Sequence, residues 1–186
     1  RDGTVFQAKG FPYTLESLLT ANQSLSHWPD LLEGGQFITL RLTSSMYHRF
    51  HAPCDAHLSH VTYISGDTWN VNPIALTRVE ALFCKNERAV LTMKTAGGVP
   101  FLLVPVAAVL VASMRFHALD VLLNLRYQGT NEIGCDARYA KGQEMGWFEH
   151  GSTILMFVPR GFALVDGIEG GQQIRMGQAL LRQVSV

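Results

Sequence analysis

The sequence predicts a mainly β (α+β) domain, an antiparallel β sandwich or distorted barrel with a few short peripheral helices. Three observations point there. Runs such as "QFITLRLT" alternate in character from one residue to the next, the period of a strand with two unlike faces. Valine-rich apolar runs are broken by Gly, Pro and Ser-Gly-Asp, the punctuation of short core strands. The helical period is clear in one short segment near the start.

That segment is "PYTLESLLTAN", with Thr14 as its N-cap, Leu15, Leu18 and Leu19 at helical spacing and Asn22 to close it. "QFITLRLT" follows as a strand, with Phe37, Thr39 and Arg41 on one face and Ile38, Leu40 and Leu42 on the other. "HLSHVTYISGD" is a second strand, ending in a Ser65-Gly66-Asp67 turn. "RAVLTMKT", the valine-rich run, "TILMFV" and "GFALVDG" continue the series, with Gly97-Gly98 and Gly170-Gly171 among the turns. Thr95 to Met114 carries no charge and imitates a membrane span. Gly97, Gly98, Pro100 and Pro105 interrupt it, however, and its valines favour one or two buried strands.

A chain of 186 residues, 47% hydrophobic and 16% charged, supports one well-cored domain and is too apolar for disorder. Residues 1–186 contain no repeat, low-complexity stretch or linker and read as a single domain. Fifteen basic side chains balance fifteen acidic ones, so no net field draws nucleic acid. Cys54, Cys84 and Cys135 are odd in number and lack CxxC spacing. They fit a reducing compartment and small buried side chains better than a disulfide framework.

Two features carry chemistry. Four of the seven histidines, His48, His51, His57 and His60, crowd into "YHRFHAPCDAHLSH". A helical turn begun by Ser44 or Ser45 would put His48 and His51 on one face, whereas His57 and His60 on a regular strand would point to opposite sides. The window admits three readings: a metal site, general acid–base work by the first pair at a junction stiffened by Pro53, or histidines satisfied by backbone partners. The second feature is "EHGSTILMFV", where Gly151-Ser152 stands at the mouth of a core strand. It is either a tight turn or a Ser-His pair, since a serine hydroxyl needs a base to become a nucleophile. No GxxxxGK[ST] loop or GxSxG elbow occurs.

"FQAKGFPYTLESLLT", "YHRFHAPCD", "VNP", "LFCKNER" and "KGQEMGWFEHGSTI" together resemble the phosphatidylserine decarboxylase proenzyme family, in order over nearly the whole chain. The resemblance implies self-cleavage between Gly151 and Ser152. The Ser152 hydroxyl attacks the Gly151 carbonyl, and the resulting ester undergoes β-elimination. Hydrolysis then leaves residues 1–151 as a β chain and residues 152–186 as an α chain headed by a pyruvoyl group made from Ser152. It implies His51 as the base for cleavage and His48 as the residue that assists decarboxylation; the loose histidine spacing, read by itself, leads us to expect no metal. The pyruvoyl carbonyl captures the substrate amine and accepts the electrons released with CO₂.

The implied reaction turns phosphatidylserine into phosphatidylethanolamine and CO₂. Alternatives are a soluble member acting on free tryptophan or methionine, and a non-catalytic β-domain binding module. A phospholipid substrate, peripheral placement on the cytoplasmic side of the cell membrane and a homodimer of processed protomers are further expectations from the family. Nucleic acid is not expected. Two departures stand out: His150 replaces the family's leucine before Gly-Ser-Thr, and the aspartate that orients the base histidine lies upstream of "QAKG". Asp2 does not match that position and Asp55 is a substitute only by proximity. The expectation is therefore of a preceding N-terminal segment, with apolar helices that dock on the membrane.

Overall fold

The computed structural model describes residues 4–6, 11–19, 22–43, 45–108, 113–149 and 152–184, with the backbone alone at 4–6 and 152. Its centre is a six-stranded antiparallel sheet in the order β10-β5-β6-β7-β12-β3. These strands are β3 (Gln36–Leu42), β5 (Ala56–Ile64), β6 (Arg88–Thr95), β7 (Pro100–Val106), β10 (Glu132–Tyr139) and β12 (Ser152–Val158). A smaller antiparallel sheet, β4-β11-β8-β9, lies against one face. It is built from β4 (Arg49–His51), β8 (Ser113–Phe116), β9 (Leu122–Asn124) and β11 (Glu144–Phe148). The other face carries α1 (Leu15–Leu19), α2 (Trp28–Leu31), α3 (Pro73–Arg78) and α4 (Leu82–Lys85). Two ribbons complete the described chain: β1 (Thr4–Phe6) with β2 (Pro12–Thr14), and β13 (Phe162–Leu164) with β14 (Leu181–Gln183).

The sandwich half of the expectation holds; the sheets do not close into a barrel. Two cores follow from alternation. Leu58, Val61, Leu91, Leu103, Ile154 and Met156 meet Phe50, Met114, Phe116 and Phe148 between the sheets. Val90, Leu102, Val104, Leu155 and Phe157 face the helices, where Leu18, Leu76, Leu82 and Phe83 cover them. Because β6 and β7 are buried on both faces, their sequence is nearly continuous in apolar residues. The stretch that imitated a membrane span is β7 and its flanks, and no helix of the described residues is long and apolar enough to cross a membrane.

Local chemistry sets the boundaries. Thr14 Oγ1 accepts the Ser17 N–H at 3.0 Å and starts α1 as its cap. Asn72 Oδ1 takes the Ala75 N–H at 2.8 Å, with Pro73 in the first helical turn, and so starts α3. Gly146 has no substitute where β11 meets β8, because a Cβ there would lie 2.0 Å from the Arg115 carbonyl oxygen.

One expectation is overturned on β5. A bulge between Leu58 and His60 inserts a residue, so Leu58 and Val61 both enter the inter-sheet core. His57 and His60 therefore share the opposite face instead of pointing apart. Each binds a carboxylate of β10, His57 to Asp136 at 2.6 Å and His60 to Glu132 at 2.7 Å.

Candidate active site

The site lies where two chain segments change sheets side by side. In the large sheet β12 pairs with β3, Ser152 opposite Leu42. In the small sheet β11 pairs with β4, Trp147 opposite Arg49. In sequence β3 precedes β4 and β11 precedes β12, so the same two chain stretches supply a neighbouring strand pair to each sheet. The Phe148 N–H donates to the His48 carbonyl at 3.0 Å, closing the small-sheet side of the crossing. Ser152 follows four residues later as the first residue of β12. Gly151 and His150 lie outside the described residues, and so does the Ser152 side chain.

The helical turn expected over this stretch does not form. The Met46 N–H donates to the Thr43 carbonyl in a turn, and Arg49–His51 is extended because it must pair with β11. Phe50 points into the inter-sheet core, while Arg49 lies over the Trp147 ring and bonds Glu144 at 2.6 Å. His48 is half-buried, and its Nε2 is enclosed without a hydrogen-bond partner.

His51 is held at both ring nitrogens. Nδ1 lies 2.8 Å from the Gly142 carbonyl oxygen, an acceptor only, so Nδ1 carries the proton. Nε2 then accepts from the Tyr47 hydroxyl at 2.7 Å, and the two rings stack with centroids 5.7 Å apart. The Gly142 turn is pinned in its turn: its N–H donates to the Ala52 carbonyl, and Asp55 Oδ1 accepts the Lys141 N–H at 2.7 Å. Asp55 thus supports the loop that orients His51 and does not touch the ring itself. His51 stands opposite Glu144 on the ladder, further along from the crossing than His48, and no described contact joins either histidine to Ser152.

Two residues of the site went unread in the sequence. Tyr47 stands within "YHRFH", yet nothing in its spacing announces a bond to His51. Glu87, in "LFCKNER", is fully buried. Thr153 pairs with Val106 and Arg88 with the same Val106, while the Ala107 N–H donates to the Glu87 carbonyl at 2.8 Å. Glu87, Ala107, Ser152 and Leu42 therefore form one row across four adjacent strands. Burial pushes the Glu87 carboxyl up to about 7, against the pull of its hydrogen bond with Tyr63. Glu87 Oε2 has no partner.

The next row, Arg41 opposite Thr153, faces the helices and leaves the buried Thr153 hydroxyl and Arg41 Nε unpartnered. The cysteines, all half-buried, are held as thiols, with burial raising Cys84 to about 11. Among the described residues no three His, Cys, Asp or Glu side chains gather as a metal site.

The family model for phosphatidylserine decarboxylase matches residues 1–182. Among curated proteins, the phosphatidylserine decarboxylase proenzyme of Brevibacillus brevis is 35% identical over 182 residues, which is 96% of this chain and 64% of the relative. That of Erwinia tasmaniensis is 34% identical over 185 residues, 95% of this chain and 60% of the relative. That of Chromobacterium violaceum is 35% identical over 182 residues, with 96% and 64% covered. The chain spans about three fifths of the length of these relatives.

Proposed function

Because the chain belongs to the phosphatidylserine decarboxylase family, we propose that it is a self-processing, pyruvoyl-dependent decarboxylase converting phosphatidylserine to phosphatidylethanolamine and CO₂. The observation that carries this reading is that Ser152 opens β12 opposite Leu42 of β3, while four residues earlier the Phe148 N–H is bonded to the His48 carbonyl, so the serine and the histidine stretch share the two strand pairs. Glycine carries no side chain to hinder attack on its carbonyl, and a histidine can serve as the base for the serine hydroxyl. In this reading Ser152 is the residue that becomes the pyruvoyl group, which would supply an electron sink for the pair left behind when the substrate carboxylate departs as CO₂.

The surroundings fit such a group. His48 Nε2 and Glu87 Oε2 are among the buried polar atoms left unpartnered near this end of the sandwich, beside Thr153 Oγ1 and Arg41 Nε of the next row, and such atoms call for a further partner. His51 takes the Ser152 proton, with its basic lone pair fixed on Nε2 by the Gly142 carbonyl. His48 positions the carboxylate or manages the proton that replaces it. Met46 and Tyr47, 39% and 50% exposed beside His48, give the crossing an apolar rim for an acyl chain. The enzyme works peripherally on the cytoplasmic face of the membrane as a homodimer of processed protomers.

The test is CO₂ release by full-length protein from phosphatidylserine in liposomes and, separately, from free methionine and tryptophan. Turnover of the lipid far above either amino acid is expected. Strong turnover of a free amino acid with none on the lipid overturns the substrate assignment.

A further inference from the structure

Glu87 lies outside the self-cleavage roles assigned above, yet its carboxyl is fully buried, with Oε1 bonded to Tyr63 and Oε2 unpartnered. Its neighbours define what it faces. Ala89, two residues on, and Tyr63, its hydrogen-bond partner, both belong to the inter-sheet core, so Glu87 points between the sheets. Ala107 and Leu42 of the same row pack against that core as well. Position 152 shares this row two strands away, roughly 10 Å from Glu87 at about 4.8 Å per strand. The residue between them, Ala107, is buried and carries only a methyl group.

The proton count is informative. The Tyr63 hydroxyl lies 2.7 Å from Glu87 Oε1 and 2.9 Å from the Asn124 carbonyl oxygen. A carbonyl can only accept, so the single Tyr63 hydroxyl proton has two acceptors within reach unless the carboxyl supplies a proton of its own. With Glu87 protonated, its carboxyl donates to Tyr63 and Tyr63 to Asn124, the form that burial of the carboxyl favours; with Glu87 ionised, Tyr63 donates to Glu87 instead. The titratable or charged groups around it are Tyr63 of β5 and Tyr127, whose ring meets Tyr63 edge-on; Arg88, next on the strand, turns to the opposite face to bind the Leu18 and Cys84 carbonyls. No cation neutralises Glu87 among its described partners.

We propose that Glu87 is the buried acid of the decarboxylation site, giving its proton to the substrate carbon that loses CO₂. This rests on the decarboxylase reading. The carbon–carboxylate bond breaks and leaves its electron pair on that carbon. The Glu87 O–H bond then breaks as the new C–H bond forms, and the resulting carboxylate regains a proton from water. His48 is left to position the departing carboxylate, which divides the two tasks that the histidine reading had joined.

The experiment compares full-length wild type, Glu87→Gln and Glu87→Asp for cleavage at Gly151–Ser152, for kcat and KM on phosphatidylserine liposomes, and for the pH profile of kcat. Glu87→Gln should yield both fragments and keep KM, with kcat down roughly 10²–10⁴-fold. The limb of the profile that falls above about pH 7 should vanish. Glu87→Asp, which retains a carboxyl, should recover part of the rate. Independently of turnover, infrared spectra of the uncleaved Ser152→Ala protein should show a protonated-carboxyl band that disappears through about pH 7 and is missing in the Ser152→Ala, Glu87→Gln double variant.

Wild-type kcat and pH profile in Glu87→Gln would overturn the assignment while leaving the decarboxylase reading intact. Should Glu87→Gln fail to fold, an infrared band absent from Ser152→Ala at pH 5 would overturn it equally. Wild-type protein that neither cleaves nor releases CO₂ would sink the functional reading and Glu87 with it.

Discussion

His51 and His48 differ in what occupies their ring nitrogens, and that difference sets the mutational expectations. His51 has a fixed tautomer, with its basic nitrogen lent to Tyr47, whereas His48 Nε2 is enclosed and unused. His51→Ala should leave mostly uncut proenzyme, a loss of roughly 10²–10⁴-fold in cleavage rate, because the Ser152 hydroxyl loses its base. His48→Ala should cleave more readily than it decarboxylates. Gel bands and CO₂ release separate the two, and the opposite pattern would exchange their roles. Tyr47→Phe removes the competitor for His51 Nε2, so cleavage should run no slower than in wild type.

Glu87 gives a stability signature of its own. A carboxyl raised from 4.5 to about 7 binds a proton in the folded state that the unfolded chain has already released. The resulting stability is complete below the unfolded value and is lost as pH rises through about 7. In the Ser152→Ala background, the Tm advantage over Glu87→Gln should therefore shrink from pH 5.5 to 8. A constant difference across that range would contradict the raised carboxyl.

Among the elements, β11 shows how a glycine fixes a junction. Its Gly146 backbone lies against the Arg115 carbonyl, with Phe50 Cζ 2.8 Å from where a Cβ would be. Gly146→Ala should push β11 away from β8 and β4 at a cost of about 1–3 kcal/mol, read as a lower Tm by calorimetry. Strands with a plain alternation, such as β3, were legible because one face of each is apolar. The β5 bulge was not, since an extra residue leaves no mark in composition and only the spacing of Leu58 and Val61 betrays it. α3 escaped too, although Asn72-Pro73 is an N-cap followed by a first-turn proline. With six residues it was too short to display a period.

Across the whole molecule, the layers explain why part of the site could be read and part could not. Gly151, Ser152, His48 and His51 come from local motifs, so their identity was legible from the resemblance alone. Their arrangement depends on two strand pairs that switch sheets together, a relation between residues about a hundred positions apart. Glu87 joins them only through the β6–β7–β12 register, which no local pattern encodes.

Every proposed step depends on cleavage at the start of β12, and intact-mass spectrometry of the full-length protein tests that most directly. Two fragments are predicted, one ending at Gly151 and one comprising residues 152–186 with a blocked pyruvoyl N-terminus that resists Edman degradation. Ser152→Ala should give a single uncut mass and no CO₂ release, since alanine offers no oxygen for the acyl shift. A wild-type protein that decarboxylates phosphatidylserine while remaining one uncut chain would contradict it.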